Sequence, residues 1–180
     1  LDELKFYNGI KDYFKKKIIL FLIKVYYPKS DAIIGISERL SSDLKNYINS
    51  KVITIYNPSL EEKIIRNNEI KNIKINPSKK ILLNVGFFEK QKDQITLLKS
   101  IKILKRNYDN FHLFLVGDGS EYNNLINYIK KNKLQKFVKI HRKIDNPSNF
   151  FKKADLFILS SIYEGLGNVL VEAMRYKCPI

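Results

Sequence analysis

Cysteine is nearly absent. Cys178 is the single one in 180 residues, so no internal disulfide can form and a reducing, cytoplasmic compartment is expected. Histidine is almost as scarce. One cysteine with His112 and His141, far apart in the chain, makes no metal cluster. No Asp-x-Asp pair occurs, so a carboxylate site for a nucleotide-bound divalent ion has no candidate, and no metal cofactor is expected. Long hydrophobic runs are missing too. The longest, Ile18–Tyr27 (IILFLIKVYY), has ten residues and contains Lys24, whereas spanning a bilayer takes about 20. No small-residue cleavage site follows it, which excludes a signal-peptide layout. A Gly-x-x-x-x-Gly-Lys-Ser/Thr loop is absent, as is a Gly-x-Ser-x-Gly elbow; P-loop ATPase and serine-hydrolase readings fall with them.

Acidic residues are the minority charge. Against 33 Lys and Arg stand 18 Asp and Glu, a net charge of +15, and only five of the basic residues are Arg. Heavy use of Lys, Asn and Ile points to a bias of the whole composition. An anionic partner (nucleotide, nucleic acid or membrane) is the alternative. At 44% hydrophobic and 28% charged, the chain is of ordinary globular composition. It begins at Leu1 rather than Met and stops at Cys178-Pro179-Ile180, where a new strand is starting, so a segment of a longer protein is expected.

Residues 11–28 read as a helix ending at Pro28. Its apolar run follows Lys15, Lys16 and Lys17; a buried helix is expected, with peripheral membrane contact at the inner face as the alternative. Ala32–Ile36 reads as a short strand. Ser37 is a plausible cap for the helix Glu38–Tyr47, with Leu40, Leu44 and Tyr47 on one stripe. Lys51–Tyr56 alternates as a strand and stops at Asn57-Pro58. The expected division is residues 1–57 as one domain's end, a linker at 58–78 carrying a short helix, and a second domain over 79–180.

From residue 80 the rhythm is regular. Strands are expected at Lys80–Val85, Phe111–Val116, Phe137–Ile140 and Leu156–Leu159, and helices at Asp93–Arg106, Glu121–Lys131, Ser148–Lys153 and Asn168–Tyr176. Continuous apolar strands alternating with helices imply an α/β fold, a Rossmann-like parallel sheet with helices on both faces. Ligands bind beyond the carboxyl ends of such strands. There stand Gly86 to Lys92, then Gly117-Asp118-Gly119, then His141 and Arg142, then Ser160 to Gly167. Every unusual loop falls on one edge.

The last of these loops, SSIYEGLGNVLVEAM, runs into a helix. A helix amino end has unpaired N–H groups and partial positive charge, an anion site. Gly165 and Gly167 let backbone approach a ligand. On a helical wheel Leu170, Ala173 and Met174 form the buried stripe, with Asn168, Glu172 and Arg175 opposite. Two carboxylates, Glu164 and Glu172, flank the anion site. They suit hydroxyl groups on either side of a diphosphate, since a carboxylate accepts two hydrogen bonds from a vicinal diol. The competing assignment pairs Glu172 with Arg175 or Asn168 and leaves Glu164 as a solvated charge. Lys92 opens a helix, where the dipole disfavours a cation unless a phosphate is bound; a solvated lysine is the alternative. GDGSEY, residues 117–122, starts like a dinucleotide fingerprint but has Tyr122 at the third glycine, so a nicotinamide cofactor is not expected.

These motifs resemble the retaining glycosyltransferases of family 4, which have the GT-B fold of two facing Rossmann-like domains. Glu164-Gly165-Leu166-Gly167-Asn168 through Glu172-Ala173-Met174 is similar to their E-x7-E element. Gly86 through Lys92-Asp93 is similar to their Gly-Arg-x-x-x-x-Lys segment. Gly117-Asp118-Gly119 resembles their glycine-rich turn. SDAIIGIS and VITIYNP resemble the end of their acceptor-side domain. The resemblance covers roughly residues 30–180. It implies transfer of a sugar, with retention, from a nucleoside-diphosphate sugar to a glycan or lipid-linked acceptor, without a metal. Glu164 would contact the transferred sugar and Glu172 the ribose; Gly165, Leu166, Gly167 and Asn168, with Lys92, would hold the diphosphate; Gly86, Gly117, Gly119 and Arg142 complete the donor site. The family's Arg is Phe87 here, and Arg142 or Lys90 is expected to replace part of its charge. With most of the acceptor domain outside these residues, the 180-residue segment alone is expected to be inactive. The alternatives are a basic Rossmann-like module that binds nucleic acid or anionic lipid without catalysis, and a GT-B sugar-nucleotide epimerase. The lysines are scattered and no RNA-binding signature occurs, so a nucleic-acid partner is not expected.

Overall fold

Strands that are apolar on both faces need cover on both faces, and this requirement organises most of the chain. The computed structural model describes residues 10–56, 78–144, 146–165 and 167–180. The chain falls into two units, residues 1–58 with 163–166, and residues 59–162 with 167–180. The expected linker over 58–78 lies almost entirely outside the described residues, as do Asn57-Pro58 and Leu166.

In the first unit α1 (Ile10–Tyr26) ends in a 3-10 turn, Tyr27–Lys29, that holds Pro28. β1 (Ile34–Gly35) and β2 (Ile53–Thr54) pair in parallel around α2 (Glu38–Ile48). The Ser37 cap forms as expected, its Oγ accepting from the Leu40 amide at 3.3 Å. The buried residues of α2 are Ser41, Leu44 and Ile48; of the expected stripe Leu44 is buried, while Leu40 and Tyr47 are half-buried beside it. Thr54 Oγ1 donates to Ser41 Oγ at 2.8 Å, and a Cβ on Gly35 would lie 2.2 Å from the same oxygen. α1 corrects the expectation of a buried helix. Its apolar residues occupy more than one face, and while Ile19, Leu20 and Ile23 are half-buried, Phe14, Ile18 and Phe21 are exposed. Among the described residues no helix is long and apolar enough to cross a membrane.

The second unit is a four-stranded parallel sheet in the order β5-β4-β3-β6. β3 is Lys80–Val85, β4 Phe111–Val116, β5 Val138–His141 and β6 Leu156–Phe157. The helices are α3 (Gln94–Leu104), α4 (Tyr122–Lys131), α5 (Ser148–Lys153) and α6 (Asn168–Arg175). Alternation along β4 feeds two cores. Leu113 and Leu115 pack with Leu97, Leu98, Ile101, Leu125 and Ile129 of α3 and α4. Phe114 and Val116 pack with Phe150, Phe151 and Ala173 of α5 and α6. Helices therefore cover both faces, as the apolar strands require.

Most element ends differ from the sequence expectation by one or two residues, and two differences have a visible reason. β6 pairs over two residues rather than four, since the chain leaves β3 after Ile158 donates to the Leu83 carbonyl at 2.7 Å. Met174, expected in the buried stripe of α6, is 65% exposed; the helix turns Val169, Leu170, Ala173 and Tyr176 to the core instead.

Candidate active site

Sheet order decides where a ligand can go. β4 and β5 lie on one side of β3 and β6 on the other, so the direction of winding reverses between β3 and β6. At such a reversal the loops diverge above the sheet and leave a crevice at the carboxyl ends. The loop after β3 and the loop after β6 border it.

Gly86 follows β3, and its N–H donates to the Val116 carbonyl at 3.0 Å. The chain then passes Phe87, which is 72% exposed, and Phe88, which is fully buried. A 3-10 turn over Lys90–Lys92 follows, and Asp93 caps α3 by accepting from the Thr96 amide at 3.2 Å. The half-buried Lys92 lays its stem back across Gly86: a Cβ added there would meet Lys92 Cδ and Cε at 3.9 Å. The strand tip and the lysine are thus brought together at the β3–β6 reversal, six residues apart in the sequence.

From the other side, Ser160 Oγ donates to the Lys92 carbonyl at 2.7 Å, and the Ile162 amide to the Gln91 carbonyl at 2.8 Å. The buried Asn84 side chain closes the gap below them, its Nδ2 donating to the Ile158 carbonyl at 2.8 Å. Asn84 Oδ1 is buried with no hydrogen-bond partner among the described residues. The sequence marks Ser160 only as the start of an unusual loop and does not mark Asn84 at all, because each acts on backbone tens of residues away. A polar residue inside the apolar run KILLNV was the available signal for Asn84.

The glycines after β4 have a packing reason. A Cβ on Gly117 would lie 2.0 Å from the Gly86 carbonyl oxygen, and one on Gly119 2.5 Å from that of Phe88. Their φ angles are +154° and +157°. The turn is glycine-rich so that two loop backbones can touch.

Arg142 follows β5, two strands away from β3. Its Nε and Nη2 donate to the two Asp118 oxygens at 3.0 and 3.1 Å, and its guanidinium lies 4.0 Å over the Tyr122 ring. That bidentate pair holds the Asp118 carboxyl below its usual range. The charge expected to stand in for the missing arginine is therefore engaged by Asp118. Lys90 instead lines a shallow cleft of about 230 Å³ with Glu89, Asp93, Gln94 and Glu121, a negatively charged wall. His141 closes β5, stacked on Phe114 at 5.5 Å, and burial pushes its imidazole below the ordinary value.

α6 starts at Asn168 behind Gly167, with no capping side chain and no acid in its first turn. Glu172, on its second turn, is half-buried, and burial raises its carboxyl above the ordinary value. Among the described residues it pairs with neither Arg175 nor Asn168. A carboxylate held in a partly dry place without a cation opposes folding when ionised. With a raised folded value, the native state holds the proton longer than the unfolded one. Stability therefore falls as pH rises from the unfolded value through the folded one. Glu172→Gln is expected to raise the unfolding temperature near neutral pH, and the difference should vanish in acid below the carboxylate range. Thermal unfolding at both pH values checks this. Glu164 and Gly165 belong to the first unit, where a Cβ on Gly165 would press on Ile36 at 2.9 Å.

A parallel sheet in this order, with its polar and glycine-rich loops gathered on the carboxyl edge, defines a Rossmann-like α/β module of the GT-B type. Residues 65–180 match the family described as Glycosyl transferases group 1, and the chain belongs to that family. It is 29% identical over 96% of its length to an uncharacterized glycosyltransferase of Methanocaldococcus jannaschii, spanning 44% of that protein. It is 28% identical over 95% of its length to the N-acetylgalactosamine-N,N'-diacetylbacillosaminyl-diphospho-undecaprenol 4-alpha-N-acetylgalactosaminyltransferase of Campylobacter jejuni, spanning 46% of it. Among solved structures, a mutant of Staphylococcus aureus TarM, in complex with fondaparinux, alpha-GlcNAc-glycerol and UDP, superposes with a TM-score of 0.73 at 21% identity, over 92% of this chain and 31% of that one. The chain spans about half the length of the curated relatives it matches.

Proposed function

We propose that the protein containing these residues transfers a sugar, with retention of configuration, from a nucleoside-diphosphate sugar to a glycan or lipid-linked acceptor. The observation that carries this reading is Lys92 laid across Gly86 at the β3–β6 reversal, the kind of position at which open parallel sheets bind ligands. Lys92 and the first-turn amides of α6 hold the diphosphate and stabilise it as it leaves, without a metal. Glu172 takes the ribose hydroxyls; a diol there supplies hydrogen bonds that its half-buried carboxylate lacks among the described residues. Glu164 contacts the transferred sugar, a role carried by the motif resemblance alone. The donor class is supported by the UDP of the TarM complex, and the acceptor class by the diphospho-undecaprenol in the Campylobacter enzyme's name.

The test titrates the full-length protein with UDP, GDP and ADP by calorimetry, then supplies the matching sugar nucleotides and follows the product anomer by NMR. One nucleoside diphosphate should bind, and its sugar nucleotide should turn over equally well with a metal chelator present. No binding of any of the three overturns the reading. Binding of nucleic acid that weakens steeply with salt favours the basic-module alternative.

A further inference from the structure

A lysine that works as a fixed charge must be fixed by something, and its own four-carbon stem is flexible. The backbone of Lys92 is held at both ends. Its N–H donates to the Glu89 carbonyl at 2.9 Å, within the 3-10 turn. Its carbonyl accepts from Ser160 Oγ at 2.7 Å, across the reversal of the sheet.

The loop is anchored on two sides. Towards β4 the Phe88 amide donates to Asp118, the Glu121 amide to Phe88, and the Glu89 carboxylate accepts from both the amide and the hydroxyl of Ser120, at 2.8 to 3.2 Å. Towards β6 the loop is held by bonds from Ser160 Oγ and the Ile162 amide, and the first of these ends on Lys92 itself. Ser160 is in turn held against β3. Two residues earlier, Ile158 donates to Leu83, and its carbonyl is taken by the buried Asn84 amide. The route Asn84–Ile158–Ser160–Lys92 thus ties the lysine's backbone to the sheet from the side of the crevice.

We propose that Ser160 is a positioning residue. Through the Lys92 carbonyl it sets where the Lys92 stem crosses Gly86, and so where the ammonium stands before a nucleoside diphosphate arrives. The proposal rests on the donor-site reading given above. Preorganisation of this kind matters because a group already in place loses no further freedom when the ligand binds.

The experiment uses the full-length protein and UDP, GDP and ADP as probes. Ser160→Ala removes one side-chain hydrogen bond and should weaken binding of the preferred diphosphate about three- to tenfold. Ser160→Thr keeps the hydroxyl and should restore it. The deciding measurement is the double-mutant cycle with Lys92→Ala. If Ser160 acts through Lys92, then Ser160→Ala changes affinity less than about twofold once Lys92 is gone. Additive losses overturn the proposal, as does a Ser160→Thr variant that unfolds at the wild-type temperature yet binds as weakly as Ser160→Ala. Additive losses in a wild type that binds its diphosphate leave the donor reading standing. A wild type that binds none of the three probes brings down the donor reading, and this proposal with it.

Discussion

Lys92→Ala in the full-length protein is expected to lower kcat for glycosyl transfer by about 10²–10³-fold, the range found when one fixed group facing developing charge is removed. A site with several cations loses little when one is taken away. Here Phe87 stands where the resembling family has an arginine, Arg142 is locked to Asp118 by two hydrogen bonds, and Lys90 faces a cleft walled by Glu89, Asp93 and Glu121. Lys92 is the cation whose stem crosses the strand tip at the sheet's reversal. Its removal should act on kcat more than on the unfolding temperature, because the half-buried stem contributes little to either core. Lys92→Arg keeps the charge on a rigid planar fork and should recover only part of the rate. Steady-state kinetics with the preferred sugar nucleotide provide the check. A Lys92→Ala enzyme within about threefold of wild type would remove the lysine from leaving-group stabilisation, since that role commands at least about a hundredfold.

Gly117→Ala is expected to cost about 3 kcal/mol of stability, the upper end for overpacking. The new methyl group would stand 2.0 Å from the Gly86 carbonyl oxygen, in a backbone conformation with φ of +154°. That oxygen is confined, because the backbone on either side of it is held, the Gly86 amide by Val116 and the Phe88 amide by Asp118. The strain must push the β3 and β4 loops apart. Urea unfolding of wild type and variant measures it. A variant of wild-type stability that has lost nucleotide affinity would show Gly117 serving the ligand rather than the packing of the two loops. The distinction matters for any glycine-rich turn: the same residue serves a close-approaching ligand or a close-approaching backbone.

Much of this was legible in the chain. The strands at 80–85 and 111–116 and the helix at 148–153 stand where the apolar pattern placed them, because that pattern reflects burial on two faces and burial is what forms them. Ser37 and Asp93 were readable as helix starts by their short side chains. Met174 was misread because a wheel with apolar residues at 169, 170, 173 and 174 can be turned either way, and only the core of Phe151, Phe157 and Cys178 selects one. Similarly, the run in α1 is apolar enough for a core, yet half of it is exposed.

The alternation of strand and helix, the parallel sheet and the gathering of unusual loops on one edge all follow from local patterns a few residues long. That β6 lies beside β3, that Ser160 reaches Lys92 across 68 positions and that Arg142 is engaged by Asp118 emerges in the folded chain alone. Those contacts join residues whose separation along the chain carries no periodic signal. They arise when sheet order brings distant loops together, and sheet order is settled by how the whole set of apolar faces packs.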